Sequence, residues 1–353
     1  MTNGNSTIQP FERCPALDGY HCQTNSLAKI FYYHGHPLSE DLLLGIGAGM
    51  GFIYWQMQIG GERVVFIGGR GNNNNFFSDV GKRTGVGINL ITTSSTKKAE
   101  SRLLERLAQI EPVMLFGDMG MLPWFDFPVE YHFGGHTFTV CGFDGKDTVL
   151  ASDMDQRATG LKKGFYYPIS LERLRAARGS PHKPFPPKNA SLEFDFAKFT
   201  PPRAEDVWSA IGQTAAAQIN PPIKNLGVKG IRHAAKELLK WPTVFDDTSL
   251  RMNLFNLYIF IEVGGTGGGC FRYMYARFLN EAATLTGSRL MGEIAPLLNE
   301  SGTLFSDIGR LFVDAETATD IDERLRLASA RFAAIADKEL EAFTRLAEIS
   351  SSP

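Results

Sequence analysis

The sequence predicts an α+β first domain followed by an all-α second domain. Three observations carry this. Short β-prone runs follow two early helical stretches, a Pro/Lys-rich segment interrupts them near residue 200, and almost everything beyond it has helical periodicity. The 353 residues suit two domains, drawn as 1–200 and 201–353.

Each element has its own signal. Thr24 to Tyr33 places Leu27, Ile30 and Phe31 at helical spacing and stops before Gly35, which suits a helix C′ position. Ser39 reads as the cap of a second short helix. After the glycine-dense run Gly45 to Gly51, Phe52 to Trp55 and Arg63 to Ile67 read as strands, the second ending at Gly68-Gly69. Asn72 to Asn75 reads as a loop, and Thr84 to Thr92 alternates like a strand. Lys97 to Ile110 is amphipathic, and Pro112 to Phe116 is a buried strand. Gly135 to Phe143 and Thr148 to Ser152 form a hairpin around Asp144-Gly145. Phe165 to Ile169 is a last strand, and Ser170 opens a short helix. Gly179 to Pro202 marks the domain boundary. Helices are then expected over 204–219, 230–240, 250–263, 269–285, 288–313 and 320–346.

Composition narrows the function classes. With 43% hydrophobic and 21% charged residues and a net charge of -2, the chain reads as an ordinary globular protein, with no nucleic-acid or membrane partner expected. No apolar run reaches the roughly 20 residues of a membrane span. The first fifteen residues lack a basic stretch followed by an apolar one, so a cytoplasmic protein is expected. Cys14, Cys22, Cys141 and Cys270 are scattered without metal-ligand spacing, which predicts reduced thiols and no metal.

The chemistry concentrates in three places. Cys22 lies directly before a helix, where the positive helix end lowers a thiol pKa and backbone N–H groups can hold an oxyanion. His136 follows Gly134-Gly135 at a strand start, a poor place for a core residue. Asp153 ends the next strand and lies across the hairpin from His136, where it can fix the imidazole tautomer. Asp155 shares its side of the strand and is the alternative acid. The order Cys, His, Asp is that of a papain-like thiol site and points to acyl chemistry through a thioester. His21 and His132 read as loop or packing residues.

A second glycine run, Gly264 to Gly269, precedes Arg272. It lacks the lysine and Ser/Thr of a P-loop and no strand precedes it, so a tight connection between helices is expected over a phosphate cradle. Packed against the thiol domain, such a turn makes Gly267, Gly268 and Arg272 candidate pocket residues. Gly45 to Gly51 lacks the order of a dinucleotide fingerprint. Lys224, Lys229 and Arg232 read equally well as a solvated helix start or as a basic patch facing an acidic carrier protein.

These stretches together resemble the butirosin-biosynthesis acyltransferase family. The resemblance lies in His21-Cys22, in Ser39-Glu40 leading to Tyr54, in Tyr131 to His136 leading to Asp144, in Pro221 to Arg232 and in Gly265 to Tyr275. It implies a papain-like cysteine-peptidase-type first domain with an antiparallel sheet, followed by the family's helical domain. It further implies an aminoacyl or acyl group taken by Cys22 from the phosphopantetheine thioester of an acyl carrier protein. His136 would activate the thiol and then a small-molecule amine or hydroxyl acceptor, and Asp153 would orient His136. No bound cofactor is implied. Hydrolysis or cyclisation of the carrier-bound acyl chain, cleavage of a peptide or amide, and a non-catalytic scaffold are the alternatives. Papain-like enzymes place an oxyanion-donating glutamine shortly before the nucleophile; here the nearest upstream is Gln9, while Gln23 and Asn25 follow Cys22. The oligomeric state is open, a homodimer included.

Overall fold

The computed structural model describes residues 8–59, 61–127, 131–155 and 159–350. It is an α+β protein with two compact units, Met1–Glu40 with Gly85–Phe199, and Asp41–Thr84 with Thr200–Pro353. The crossing at Phe199 falls in the Pro/Lys-rich segment. The crossing after Glu40 has no compositional mark, and residues 41–84, read in the sequence as part of the first domain, cluster with the C-terminal helices.

The first unit opens with helix α1 (Cys22–Tyr33), stopped by Gly35 at φ 83°. Glu40, the last residue of this unit, is also the first of α2 (Glu40–Ile46). The unit's sheet is built from β3 (Gly87–Ile91), β4 (Val113–Gly117), β5 (His136–Phe143), β6 (Thr148–Met154), β7 (Gly164–Ser170) and β8 (Ser191–Asp195). The order is β3-β8-β4-β5-β6-β7, antiparallel throughout. Strand β8 lies inside the stretch that reads as a linker. Its five residues sit among prolines and lysines, and it becomes a strand only by inserting between β3 and β4, a pairing that local sequence does not signal. Helices α4 (Thr96–Ala108) and α5 (Leu171–Gly179) supply Leu103, Leu107, Leu174 and Ala177 to a core with Leu115, Phe138, Val140, Val149 and Ala151.

The second unit wraps helices around a two-stranded ribbon, β1 (Met50–Ile59) and β2 (Glu62–Arg70). Strand β2 runs through Gly68-Gly69 instead of stopping there. A Cβ at Gly69 would lie 2.4 Å from the Cys270 carbonyl oxygen, so glycine admits that backbone. Helix α3 (Phe76–Thr84) follows the Asn-rich loop. The remaining helices are α6 (Ala204–Ile219), α7 (Gly227–Leu238), α8 (Trp241–Val244), α9 (Asp247–Tyr258), α10 (Arg272–Thr286), α11 (Arg289–Arg310) and α12 (Ile321–Ser350). Phe52, Tyr54, Val65 and Ile67 of the ribbon join Leu254, Phe305, Phe332 and Ile335 in one core. Among the described residues no helix is long and apolar enough to cross a membrane.

Candidate active site

Cys22 is the first residue of α1 and is half-buried. Its helix begins there because His21 has extended backbone, φ -129° and ψ 130°, and its Nδ1 accepts the Thr24 N–H at 3.4 Å. His21 is thus a capping residue. Four further donors in this turn point to one carboxylate, that of Glu40. It accepts from Tyr20 N (3.0 Å), His21 N (3.1 Å), Thr24 Oγ1 (2.7 Å) and Asn25 Nδ2 (3.2 Å). Asn25 Nδ2 also donates to the carbonyls of Leu17 and Asp18, each at 3.3 Å. Its amide is committed to the loop before Cys22 and is not available as the oxyanion donor considered from sequence.

His136 is the first residue of β5 and is buried. The loop before it is held by Asp118, which accepts Phe133 N at 3.0 Å and bonds His132 Nδ1 at 2.9 Å. Ser180 Oγ adds a third bond to that carboxylate at 2.5 Å. His132 is therefore a loop anchor. A Cβ at Gly134 would lie 2.3 Å from the Phe185 carbonyl oxygen, so the loop needs glycine there.

Asp153, on β6, is 2% exposed. Its Oδ2 accepts from His136 Nε2 at 2.7 Å and from Trp124 Nε1 at 2.9 Å. The Trp124 indole stacks on Tyr167 with centroids 4.9 Å apart. Phe125 meets the His136 ring edge-on at 5.3 Å. These rings wall the His136–Asp153 pair from water and strengthen its electrostatics. Asp155 plays a different part: its N–H donates to the Lys163 carbonyl at 2.8 Å, and among the charges that favour a protonated Lys162 its own is the largest.

With Nε2 given to Asp153, His136 also acts on the Cys22 thiol. Burial alone pushes that thiol up. The His136 hydrogen bond and charge, with hydrogen bonds from Thr137, outweigh it, and the net shift is below the ordinary thiol value. Burial likewise pushes His136 down, but Asp153 and Cys22 raise it to about 10. The two shifts favour a thiolate beside an imidazolium, the reactive form of a cysteine nucleophile. Structure thus brings Cys22, His136 and Asp153 together.

Two buried lysines flank this group without a signal in the sequence. Lys29 Nζ donates to the Ser152 carbonyl at 3.2 Å. Lys162 is 1% exposed and pairs through its backbone with Gly19, three residues before Cys22. Burial lowers its pKa to about 8, against the charges of Asp155, Cys22 and Asp153.

The glycine turn lies in the second unit. Gly267 and Gly268 are buried with φ of 70° and 80°, followed by Gly269, Cys270 and Phe271, also left-handed. Arg272 is fully buried and bonded to Glu339 at 2.7 and 2.9 Å and to the Gly51 and Cys270 carbonyls. Its guanidinium forms a buried ion pair with Glu339. Lys224 and Lys229 are exposed, and Arg232 pairs with Asp337 at 2.7 Å.

Residues 21–154 match the family described as "Butirosin biosynthesis protein H, N-terminal", and residues 172–346 match a domain of unknown function, DUF4872. The two follow one another along one chain. Together the two matches fit a chain of the butirosin biosynthesis protein H type. The first match begins one residue before Cys22 and ends one residue after Asp153. It therefore spans every residue of the Cys22–His136–Asp153 group. Comparison with curated proteins gave no match.

Trp124, Glu40 and Lys162 escaped the sequence reading. Trp124 had a local signal, an indole next to Pro123 and Phe125 between two strands. Glu40 entered only as part of the Ser39-Glu40 stretch and Lys162 not at all, because a buried charge looks like any surface charge until its partners are known.

Proposed function

We propose that this protein is an acyltransferase of biosynthesis, which takes an acyl or aminoacyl group from a carrier-protein thioester onto Cys22 and passes it to an amine or hydroxyl. The observation that carries the reading is the buried His136–Asp153 hydrogen bond, with His136 acting on the Cys22 thiol to hold its pKa down. The name of the matched family, which places its namesake in butirosin biosynthesis, supports a synthetic role over a degradative one.

The steps follow from the charges. The Cys22 thiolate attacks the thioester carbonyl carbon, and the carbonyl π electrons move to oxygen. The Cys22 N–H at the start of α1 holds that oxyanion. Collapse expels the pantetheine sulfur, which takes a proton from the His136 imidazolium. His136, now neutral, accepts a proton from the acceptor amine as its nitrogen attacks the Cys22 thioester. The second collapse releases the amide and the Cys22 thiolate, and His136 is again an imidazolium. Asp153 holds the ring so that Nε2 is never the working atom. Water attacking in place of the amine would give hydrolysis, and the aromatic wall of Trp124 and Phe125 bears against it.

Intact mass spectrometry after incubation with acyl-loaded carrier proteins tests this. An adduct of the acyl mass on the Cys22 peptide, absent in Cys22→Ala and discharged by added amines, is the expected result. Turnover by Cys22→Ala near the wild-type rate rules the mechanism out.

A further inference from the structure

Glu40 does more than start a helix. The donors around it come from both sides of the nucleophile: Tyr20 and His21 before it, Thr24 and Asn25 after it. One oxygen takes Tyr20 N and Asn25 Nδ2, the other His21 N and Thr24 Oγ1. Each oxygen thus clamps one group upstream of Cys22 to one group downstream. Gly19 completes the arrangement. A Cβ there would lie 1.9 Å from Glu40 Oε1 and 2.2 Å from Asn25 Nδ2, so the carboxylate occupies a slot that only glycine leaves open.

We infer that Glu40 is the positioning residue of the nucleophile, a buried carboxylate that fixes the turn Gly19–Asn25 and so aims both the Cys22 sulfur and the Cys22 N–H at the reacting carbonyl. The inference rests on the proposed role of Cys22. It supplies what the missing upstream glutamine leaves open, because it makes the backbone N–H a rigid oxyanion donor. Tyr20 and His21 have their N–H groups turned into Glu40, and Cys22 is the next residue in line.

The carboxylate cannot be replaced by an amide without conflict. All four partners approach as donors, and Asn25 also donates to Leu17 and Asp18. Whichever way a glutamine side chain is flipped, its NH2 faces two of them.

The experiment is the pH dependence of Cys22 alkylation by iodoacetamide, read by peptide mass spectrometry in wild type, Glu40→Gln and Gly19→Ala. Removing a nearby negative charge by itself lowers the thiol pKa. Loss of positioning raises it, because the thiolate loses its helix end and its imidazolium contact. The expected result is an alkylation midpoint moved upward in both variants, with kcat for acyl transfer down about tenfold or more and KM changed less. Gly19→Ala keeps the charge, so an upward move there cannot come from charge loss. If Glu40→Gln fails to fold by circular dichroism, Thr24→Val removes one donor and is expected to move the midpoint the same way by less. A midpoint unmoved or lowered in the folded variants overturns the inference. Failure of wild-type Cys22 to form an acyl adduct, with the midpoint shift intact, would instead overturn the acyltransferase reading alone.

Discussion

Lys29 and Ser152 join the helix of Cys22 to the strand of Asp153: a fully buried ammonium donates to the Ser152 carbonyl at 3.2 Å. Ser152 immediately precedes Asp153, and Lys29 lies two turns along α1 from Cys22. The bond therefore sets the spacing between two members of the site. Burial holds the Lys29 pKa below its ordinary value, against the charges of Asp153 and Glu40 among others.

Truncating this lysine is expected to cost stability through both a cavity and an orphaned carbonyl. Lys29→Ala should lose about 2–4 kcal/mol in urea unfolding. Lys29→Met keeps most of the volume and removes a desolvated charge, so its loss should be smaller. Equal losses in the two variants would show that the ammonium, and not the packing, sets the cost.

Asp153 serves two donors with one oxygen, His136 and Trp124. Asp153→Asn is expected to keep the fold yet lower transfer by orders of magnitude, because an amide can turn its NH2 toward His136 Nε2 and force the wrong tautomer. His136→Ala removes general-base help worth about 10²–10⁴-fold. Trp124→Phe keeps the ring stacked on Tyr167 and deletes one hydrogen bond, so a loss well below that of Asp153→Asn is expected. Steady-state kinetics on all three variants, with near-ultraviolet circular dichroism as the fold control, decide this.

How much of this was legible beforehand follows from what local sequence encodes. Cys22, His136 and Asp153 each sit at an element boundary marked by helical spacing, Gly-Gly or a hairpin turn, so their positions could be read residue by residue. Glu40, Lys29 and Lys162 act through contacts from 15 residues away, as Glu40 with Asn25, to well over a hundred, as Lys29 with Ser152 and Lys162 with Gly19, or through burial, and neither leaves a local trace. The same holds for β8, a strand only because β3 and β4 flank it, and for Arg272, whose meaning depends on Glu339 sixty-seven residues on. The grouping of 41–84 with the C-terminal helices rests on apolar faces such as Phe52 and Tyr54, whose partners lie beyond residue 200.

Alkaline pH should weaken the protein through His136. Its pKa is raised from 6.5 to about 10, so the folded state holds a proton that the unfolded state has lost between those values. Stability from this group is complete below about 6.5 and disappears as pH rises through 10. Thermal melts of wild type and His136→Gln should therefore differ most near pH 6 and converge toward pH 10. A difference that stays constant across that range would mean that the imidazolium is not held by Asp153 and Cys22.

Lys162 gives the opposite sign and a separate test. Its backbone N–H donates to the Gly19 carbonyl at 2.7 Å and its carbonyl accepts the Gly19 N–H at 2.9 Å, which fixes the residue beside the loop that leads to Cys22. Burial lowers its pKa from 10.5 to about 8, so between these values the unfolded chain binds a proton that the folded chain does not. Wild-type stability gains from this group as pH rises through that window, and Lys162→Met should lose the gain. Below pH 8 the ammonium is charged and acts on Cys22, Asp153 and Asp155. Removing it should raise the midpoint of Cys22 alkylation by up to about one unit, since a nearby opposite charge favours the thiolate. High salt should reproduce little of that effect, because buried charges are poorly screened. Asp155→Asn, which leaves the lysine less compensated, should push the Lys162 titration still lower without breaking the His136–Asp153 bond. If Lys162→Met leaves the alkylation midpoint where it was, the ammonium serves the fold of the Gly19 loop and not the thiolate.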